Sequence, residues 1–269
     1  MNLEYLPDLQ NLSWFLSVGL SLGYLFFRLA VVYGLFFILV KVFRKSHSVV
    51  KDKLPPGQIR FETFANIKAY FFDAMVFVVL LKFGAFQSKA LVPMNILYTF
   101  AFCYVFFEIW FYATHRLMHM KSVWFTHKLH HKSVQTTLMT AQSTGLYEKT
   151  INDIGILLIP ALLTQITPMN IEGIIGYHFV NFYINVLGHS NLELAPKFLR
   201  KYRWGRIFTT PTYHSLHHLK GNCNFGLFTT VLDRLFGTFD PKNLIYYDEV
   251  KKHSGLFKRE FLKYSKAAI

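Results

Sequence analysis

Residues 13–43, "SWFLSVGLSLGYLFFRLAVVYGLFFILVKVF", carry only two charges, Arg28 and Lys41. Such a run exceeds the roughly 20 residues that cross a bilayer, and in lipid an α-helix is the fold that satisfies its backbone internally. It is too long for a signal-peptide core, and the chain before it is acidic (Glu4, Asp8) where a signal peptide is basic. Arg28 inside the run needs a partner or a route to the headgroups, or else the span is shorter and Arg28 snorkels. Four more apolar segments follow, at 69–86, 91–113, 151–166 and 171–188, and they pair naturally into two hairpins. Hydrophobic residues make up 52% and charged ones 16% of the chain, against about a quarter charged in soluble domains. The expected fold is all-α: an integral membrane helical bundle of about four to five apolar segments, some of them re-entrant, under a cytoplasmic helical cap. Residues 1–60 read as an N-terminal span and basic linker, broken by Pro-Pro-Gly at 55–57, and residues 61–269 as a second domain of membrane hairpins plus cytosolic cap.

Lys and Arg outnumber Asp and Glu by 29 to 15, a net +14. The excess gathers at 41–60, 116–132 and 197–206, between and after the apolar runs. That distribution is the positive-inside pattern, with attraction to anionic headgroups, and no nucleic-acid partner is expected. All three segments fall on one side of the membrane if the N-terminus lies outside, through five crossings or one crossing plus two re-entrant hairpins. The terminal "KYSKAAI" carries no clear retrieval signal, so an ER membrane and a bacterial inner membrane fit equally. Cys103 and Cys223 make neither a disulfide framework nor a CxxC, so any metal must be held by nitrogen and oxygen.

Ten of the 12 histidines lie between 115 and 218. In "THRLMHMKSVWFTHKLHHK" (114–132), His115 and His119 stand at i, i+4, and His127, His130 and His131 at i, i+3, i+4. "TPTYHSLHH" repeats the second spacing with His214, His217 and His218. On helices each set shares one face, so each presents two or three imidazoles toward one point, and converging sets enclose more than one metal. Imidazole suits iron, zinc and copper, and being neutral it tolerates a low-dielectric site. Packing explains a lone histidine such as His178 in "IGYHFVNF", but not eight in three tight patterns interleaved with Leu117, Leu129 and Leu216. The second ring nitrogens need oriented acceptors. Glu148, Asn185, Asn224 and Asp233 are the leading candidates, with Glu108, Asp153 and Asn181 beside them.

The ordered set "HRLMH", "HKLHH", "GHSN" and "HSLHH", followed by "NFGLFTTVLDRLFGTF" (224–239), resembles the fatty acid hydroxylase superfamily, also called the sterol desaturase family. The likeness covers roughly 60–240, and "LPPGQIRFE" (54–62) is similar to that family's upstream segment. The resemblance implies a membrane-bound non-haem di-iron oxygenase. It implies nine ligands, His115, His119, His127, His130, His131, His189, His214, His217 and His218, with His178 the obvious tenth. Two departures bear on substrate: Ser143 and Gly145 stand where many relatives carry Arg and His, and Leu232 replaces a Trp.

No HExxH, GxSxG, P-loop or GxGxxG motif occurs in the chain. By resemblance the cofactors are two iron ions (zinc in purified protein) and O2. Electrons then come from an external donor, a cytochrome or a ferredoxin and its reductase, docked on the basic face. The expected activity is hydroxylation of a lipid (sterol, fatty-acyl, sphingolipid or ether lipid) by C–H hydrogen abstraction and hydroxyl rebound, with no catalytic residues beyond the ligands. Lipid or sterol desaturation and fatty-aldehyde processing are the alternatives on the same site. A non-catalytic metal-binding or metal-transport protein is disfavoured, because transporters place ligands within spans.

Overall fold

A computed structural model describes residues 11–86, 92–257 and 259–260. Glu4, Asp8 and "KYSKAAI" lie outside these. Helix α1 (Trp14–His47) starts at Ser13, whose hydroxyl accepts from the Leu16 N–H at 3.1 Å. Its buried residues, Ser17, Ser21, Leu25, Arg28, Val32 and Phe36, form one stripe at helical spacing. The outward face carries Phe15, Phe26, Phe27 and Phe37, all more than half exposed, so it is apolar all round and suited to lipid. The helix keeps going through the basic residues to His47 and, at 34 residues, reaches about 50 Å, well past a hydrocarbon core of about 30 Å.

Helix α2 (Gln58–Lys82) begins directly after Gly57, which sits in the left-handed region at φ 81°. It thus starts eleven residues earlier than the apolar segment at 69–86 suggests, which places Asp73 in its buried interior instead of near an end. Helix α3 (Pro93–Met118) delivers the chain to the first histidines. Helices α1, α2 and α3 are each long and apolar enough to cross a membrane.

The second apolar hairpin is shorter. Its first arm divides into α4 (Leu146–Asp153), a π-helical turn at Ile154–Leu158 and α5 (Ile159–Leu163). Pro160 lacks an N–H and its ring crowds the carbonyl four residues back, and the wide π turn just before it relieves that clash. Helix α6 (Ile171–His189) forms the second arm and packs along α3. Gly173 permits that approach, since a Cβ there would stand 2.7 Å from the Ile96 carbonyl oxygen.

Above these helices lies a cap built from residues 119–145 and 190–257, with short α7 (Lys197–Lys201), α8 (Pro211–Lys220), α9 (Val231–Leu235) and α10 (Asn243–His253). Among the described residues there is no strand, only isolated bridges such as Ser48 with Leu192. Val49, Val50, Leu216, Tyr246, Val250 and Leu256 form a separate core that ties the end of α1 to α8 and α10.

Two buried carboxylates fasten the cap to the membrane helices. Glu62 of α2 accepts from the hydroxyls of Ser133, Thr137 and Thr140 at 2.5–2.9 Å and from the Gln58 amide at 2.8 Å. Glu108 of α3 accepts from the N–H groups of Phe228 and Thr229 at 2.9 and 2.8 Å and from the Thr229 hydroxyl at 2.7 Å. Replacing Glu62 by Leu strands four donors, at a cost of about 3 kcal/mol for a broken buried charged network. In thermal unfolding of detergent-solubilised protein, Glu62→Leu is expected to lower the midpoint by about 10 °C; an unchanged midpoint would show that Glu62 anchors nothing.

Candidate metal centre

His115 occupies the last turn of α3 and His119 its C-cap, so a membrane helix ends by aiming two imidazoles into the cap. The "HKLHH" box does not form the helix its spacing suggests. His127 caps a 3-10 turn at Trp124–Thr126, and His130 and His131 lie in a second at His130–Lys132, and this irregular path spreads the three rings. The "HSLHH" box is helical, on α8, started by the Thr210 hydroxyl accepting from the Tyr213 N–H at 3.2 Å. Buried Glu193 accepts from the Thr212 N–H at 3.0 Å at the same helix end.

Nine histidines meet there in two groups. His115, His119, His127, His131 and His217 form one, and His130, His189, His214 and His218 the other, with the ligand atoms of each group within 4.8 Å of one another. Both HxxHH boxes are therefore split. On α8, His214 and His218 share a face, while His217 is turned about 100° from its neighbour and serves the other group.

Backbone carbonyls decide where the ring protons sit. The Nδ1 of His115 bonds to the Phe225 carbonyl at 2.9 Å, that of His217 to the Cys223 carbonyl at 2.8 Å, and that of His189 to the Asn185 carbonyl at 2.7 Å. A carbonyl only accepts, so each Nδ1 carries the proton and each Nε2 is left with a bare lone pair. Those lone pairs converge. The Nε2 of His189 stands 2.8, 3.2 and 3.3 Å from those of His214, His130 and His218, and His217 Nε2 is 3.1 Å from His131 Nε2. Among the described residues, the buried Nε2 atoms of His115, His119 and His127 have no hydrogen-bond partner. Around a tetrahedral ion with bonds of about 2.1 Å, ligand atoms stand about 3.4 Å apart. The spacing, the orphaned nitrogens and the all-imidazole donor set together fit transition-metal ions.

Protonation agrees with that fit. Burial pushes His127, His130, His131, His214, His217 and His218 well below the ordinary histidine range, and neighbouring imidazoles push them further. Burial lowers His119 to about 4. At neutral pH these rings are uncharged and free to ligate.

Of the orienting side chains expected, Glu148 lies 2.9 Å from His127 Nδ1. Asn185 orients His189 through its backbone, while its side chain donates to the Ala141 carbonyl at 2.9 Å. Asp233 acts one step removed: it accepts from the Phe225 and Gly226 N–H groups, each at 2.8 Å, from the Thr238 hydroxyl at 2.7 Å and from the Tyr213 hydroxyl. It thereby holds the peptide whose carbonyl binds His115. Asn224, in the left-handed region at φ 60°, shapes the same loop and donates to the Tyr213 carbonyl at 3.1 Å. Glu108 fastens the following residues, as described, and Asn181 donates to the Tyr177 hydroxyl at 3.1 Å.

His178 belongs to neither group. Its Nε2 lies 2.6 Å from Arg28 Nη1 and its Nδ1 2.9 Å from the Tyr24 hydroxyl. Arg28 only donates, so that contact takes up the Nε2 lone pair a metal would need. Arg28 also finds the partner its position demands, Asp73 at 3.3 Å. Sequence reasoning missed the carbonyls of Cys223, Phe225 and Asn185, because any residue supplies a carbonyl.

A fatty acid hydroxylase family model matches residues 100–238, just over half of the chain and all nine clustered histidines. The chain belongs to the fatty acid hydroxylase family. Its curated relatives include very-long-chain aldehyde decarbonylase GL1-6 of Oryza sativa subsp. indica, 32% identical over 149 residues, which are 52% of this chain and 23% of that protein. Very-long-chain aldehyde decarbonylase CER1 of Arabidopsis thaliana is 32% identical over 151 residues, 53% of this chain and 23% of the relative. Protein CER1-like 2 of Arabidopsis thaliana is 32% identical over 139 residues, 49% and 22% of the two chains. The chain thus spans less than a quarter of the length of these relatives. No solved structure matches it significantly.

Because Asp233 positions the loop that orients His115, Asp233→Asn is expected to reduce retained metal about tenfold, the usual cost of losing an outer partner. Metal per chain after dialysis against a chelator measures this; wild-type retention by the variant would remove Asp233 from the centre's support.

Proposed function

We propose that the protein is a membrane-bound lipid oxygenase, a hydroxylase in its primary activity, with one iron ion in each histidine group. The observation that carries this reading is the convergence of nine uncharged imidazoles, seven of them buried and two half-buried, on two points where a membrane helix ends. His115, His119, His127, His131 and His217 would hold one ion and His130, His189, His214 and His218 the other. Bound there, the iron pair supplies activation of O2 against an unactivated C–H bond, with electrons from an external carrier.

The chain's own residues do the rest. Carbonyls of Cys223, Phe225 and Asn185 hold the proton on Nδ1 and turn Nε2 inward. Glu148, buried 2.9 Å from His127 Nδ1, is the side chain placed to orient that ring. Burial of the rings excludes bulk water, which protects a reactive centre from side reactions. The basic segments support a centre on the cytoplasmic side, in an ER or bacterial inner membrane, where an electron-carrier protein docks. A second reading, conversion of a fatty aldehyde, is favoured by what the matched relatives are named for.

Purified protein is expected to hold two irons, or zinc in their place, per chain. His217→Ala and His130→Ala remove one ligand from each group and are each expected to lower metal content and abolish product. Isotope-labelled lipids, incubated with protein, reductant and O2, separate the readings: an oxygenated lipid supports hydroxylation, and a hydrocarbon shorter by the carbonyl carbon supports the aldehyde reading. Absence of stoichiometric metal, or full activity in both variants, would sink the proposal.

A further inference from the structure

Beneath the histidine groups, a small polar chamber of about 50 Å³ lies among α1, α2, α4 and α6. It adjoins the centre closely. Phe111 lines it and stands 4.9 Å from the His115 ring, and Asn185, whose carbonyl holds His189, lines it too. Its walls carry four buried charged residues, Arg28, Asp73, Lys149 and Asp153. Two cations face two carboxylates: Arg28 pairs with Asp73 at 3.3 Å, and Lys149 bridges Asp73 and Asp153. The chamber is therefore balanced in charge, and an added anion would lie in a low-dielectric space without a counter-ion. Its polar capacity is not used up. Asn152 Oδ1, Thr144 Oγ1 and Arg28 Nε are buried with no hydrogen-bond partner among the described residues.

From the chamber an apolar groove of about 540 Å³ runs outward between α1 and α2, sharing Arg28, Asp73, Gln142 and Phe182 with it. Phe26, Ala30, Ile67 and Phe71 line the groove and are exposed on the outer face of these helices. A second groove, on the other side of α2, shares only Thr144 and Lys149 with the chamber and carries Lys68 and Lys132. Hydrocarbon there would lie against two ammonium groups, so the groove between α1 and α2 is the better tail site.

We propose that the substrate is a long-chain lipid with a neutral terminal oxygen function, an alcohol or aldehyde, whose end sits among Asn152, Thr144 and Arg28 while its tail lies between α1 and α2. Three features select this class. A chamber of this volume holds about three or four waters, hence a single end group and no bulky head. The unpaired donors and acceptor leave hydrocarbon alone unsatisfying there. The closed charge balance disfavours a carboxylate. This inference rests on the lipid-oxygenase reading for its relevance to catalysis, though binding tests it directly.

The experiment measures binding of straight-chain primary alcohols of increasing length, with matching alkanes and carboxylates, to the full chain in lipid nanodiscs. Metal content and product formation are followed in parallel. Alcohols are expected to bind about tenfold tighter than alkanes of equal length, as one unmade pair of buried hydrogen bonds dictates. Asn152→Leu and Thr144→Val each erode that preference and leave alkane binding unchanged. Ala30→Trp and Ile67→Trp, on opposite walls of the groove and facing outward, shorten the longest alcohol accepted. The inference is overturned if alkanes match alcohols, if carboxylates bind tightest, or if both tryptophan variants leave the chain-length limit where it was. A protein that binds alcohols as described but holds no metal overturns the oxygenase reading instead.

Discussion

Nine imidazoles are pressed together, and three of them, His115, His189 and His217, commit the Nδ1 proton to a backbone carbonyl and so turn a bare Nε2 toward their neighbours, where it cannot donate. An orphaned buried acceptor costs about 1–3 kcal/mol, so the rest of the molecule must hold this arrangement by force of other contacts. The supports are visible. Glu62 gathers three hydroxyls of the chain after the second box, Glu108 grips the strand-like run before α9, and Asp233 closes the loop at 225–226. Each is a carboxylate satisfied by several donors, the strongest kind of neutral-partner bond available to a buried side chain. Metal binding would give those bare nitrogens a partner, which couples folding of the cap to the centre's occupancy.

The long apolar helices and the gathering of the histidines were largely legible in the sequence, for physical reasons. Long apolar runs admit one fold in lipid, and α1, α2 and α3 obey. Histidine is rare enough that its spacing carries information, and all nine histidines read as ligands share the two groups. Three features were hidden. The start of α2 at Gln58 escaped because Gln58, Arg60 and Glu62 are polar, although Gln58 and Glu62 are buried against the cap. The 3-10 path through the second box escaped because i, i+3, i+4 spacing fits a helix equally well. The acceptors for Nδ1 escaped because a carbonyl has no letter of its own.

Arg28 and His178 illustrate a subtler limit. Each alone poses a problem, a charge in a span and a histidine in an apolar helix. Together with Asp73, Tyr24 and Lys149 they answer one another across four helices. Only the fold reveals that these residues are neighbours. The same network supplies the polar floor beneath the centre, so a group that is costly in lipid becomes the means of placing a polar chamber there.

The short loop at 221–226 gives the two halves of the centre different fates. It supplies the carbonyls for His115 and His217, both in the five-histidine group, while the four-histidine group takes its alignment from the α6 backbone through His189. A helix backbone is stiff and a loop yields, so any strain or breathing of that loop would reach an ion held by the five-histidine group and spare one held by the other. With an ion in each group, the two would exchange unequally, and the centre would fill and empty in sequence.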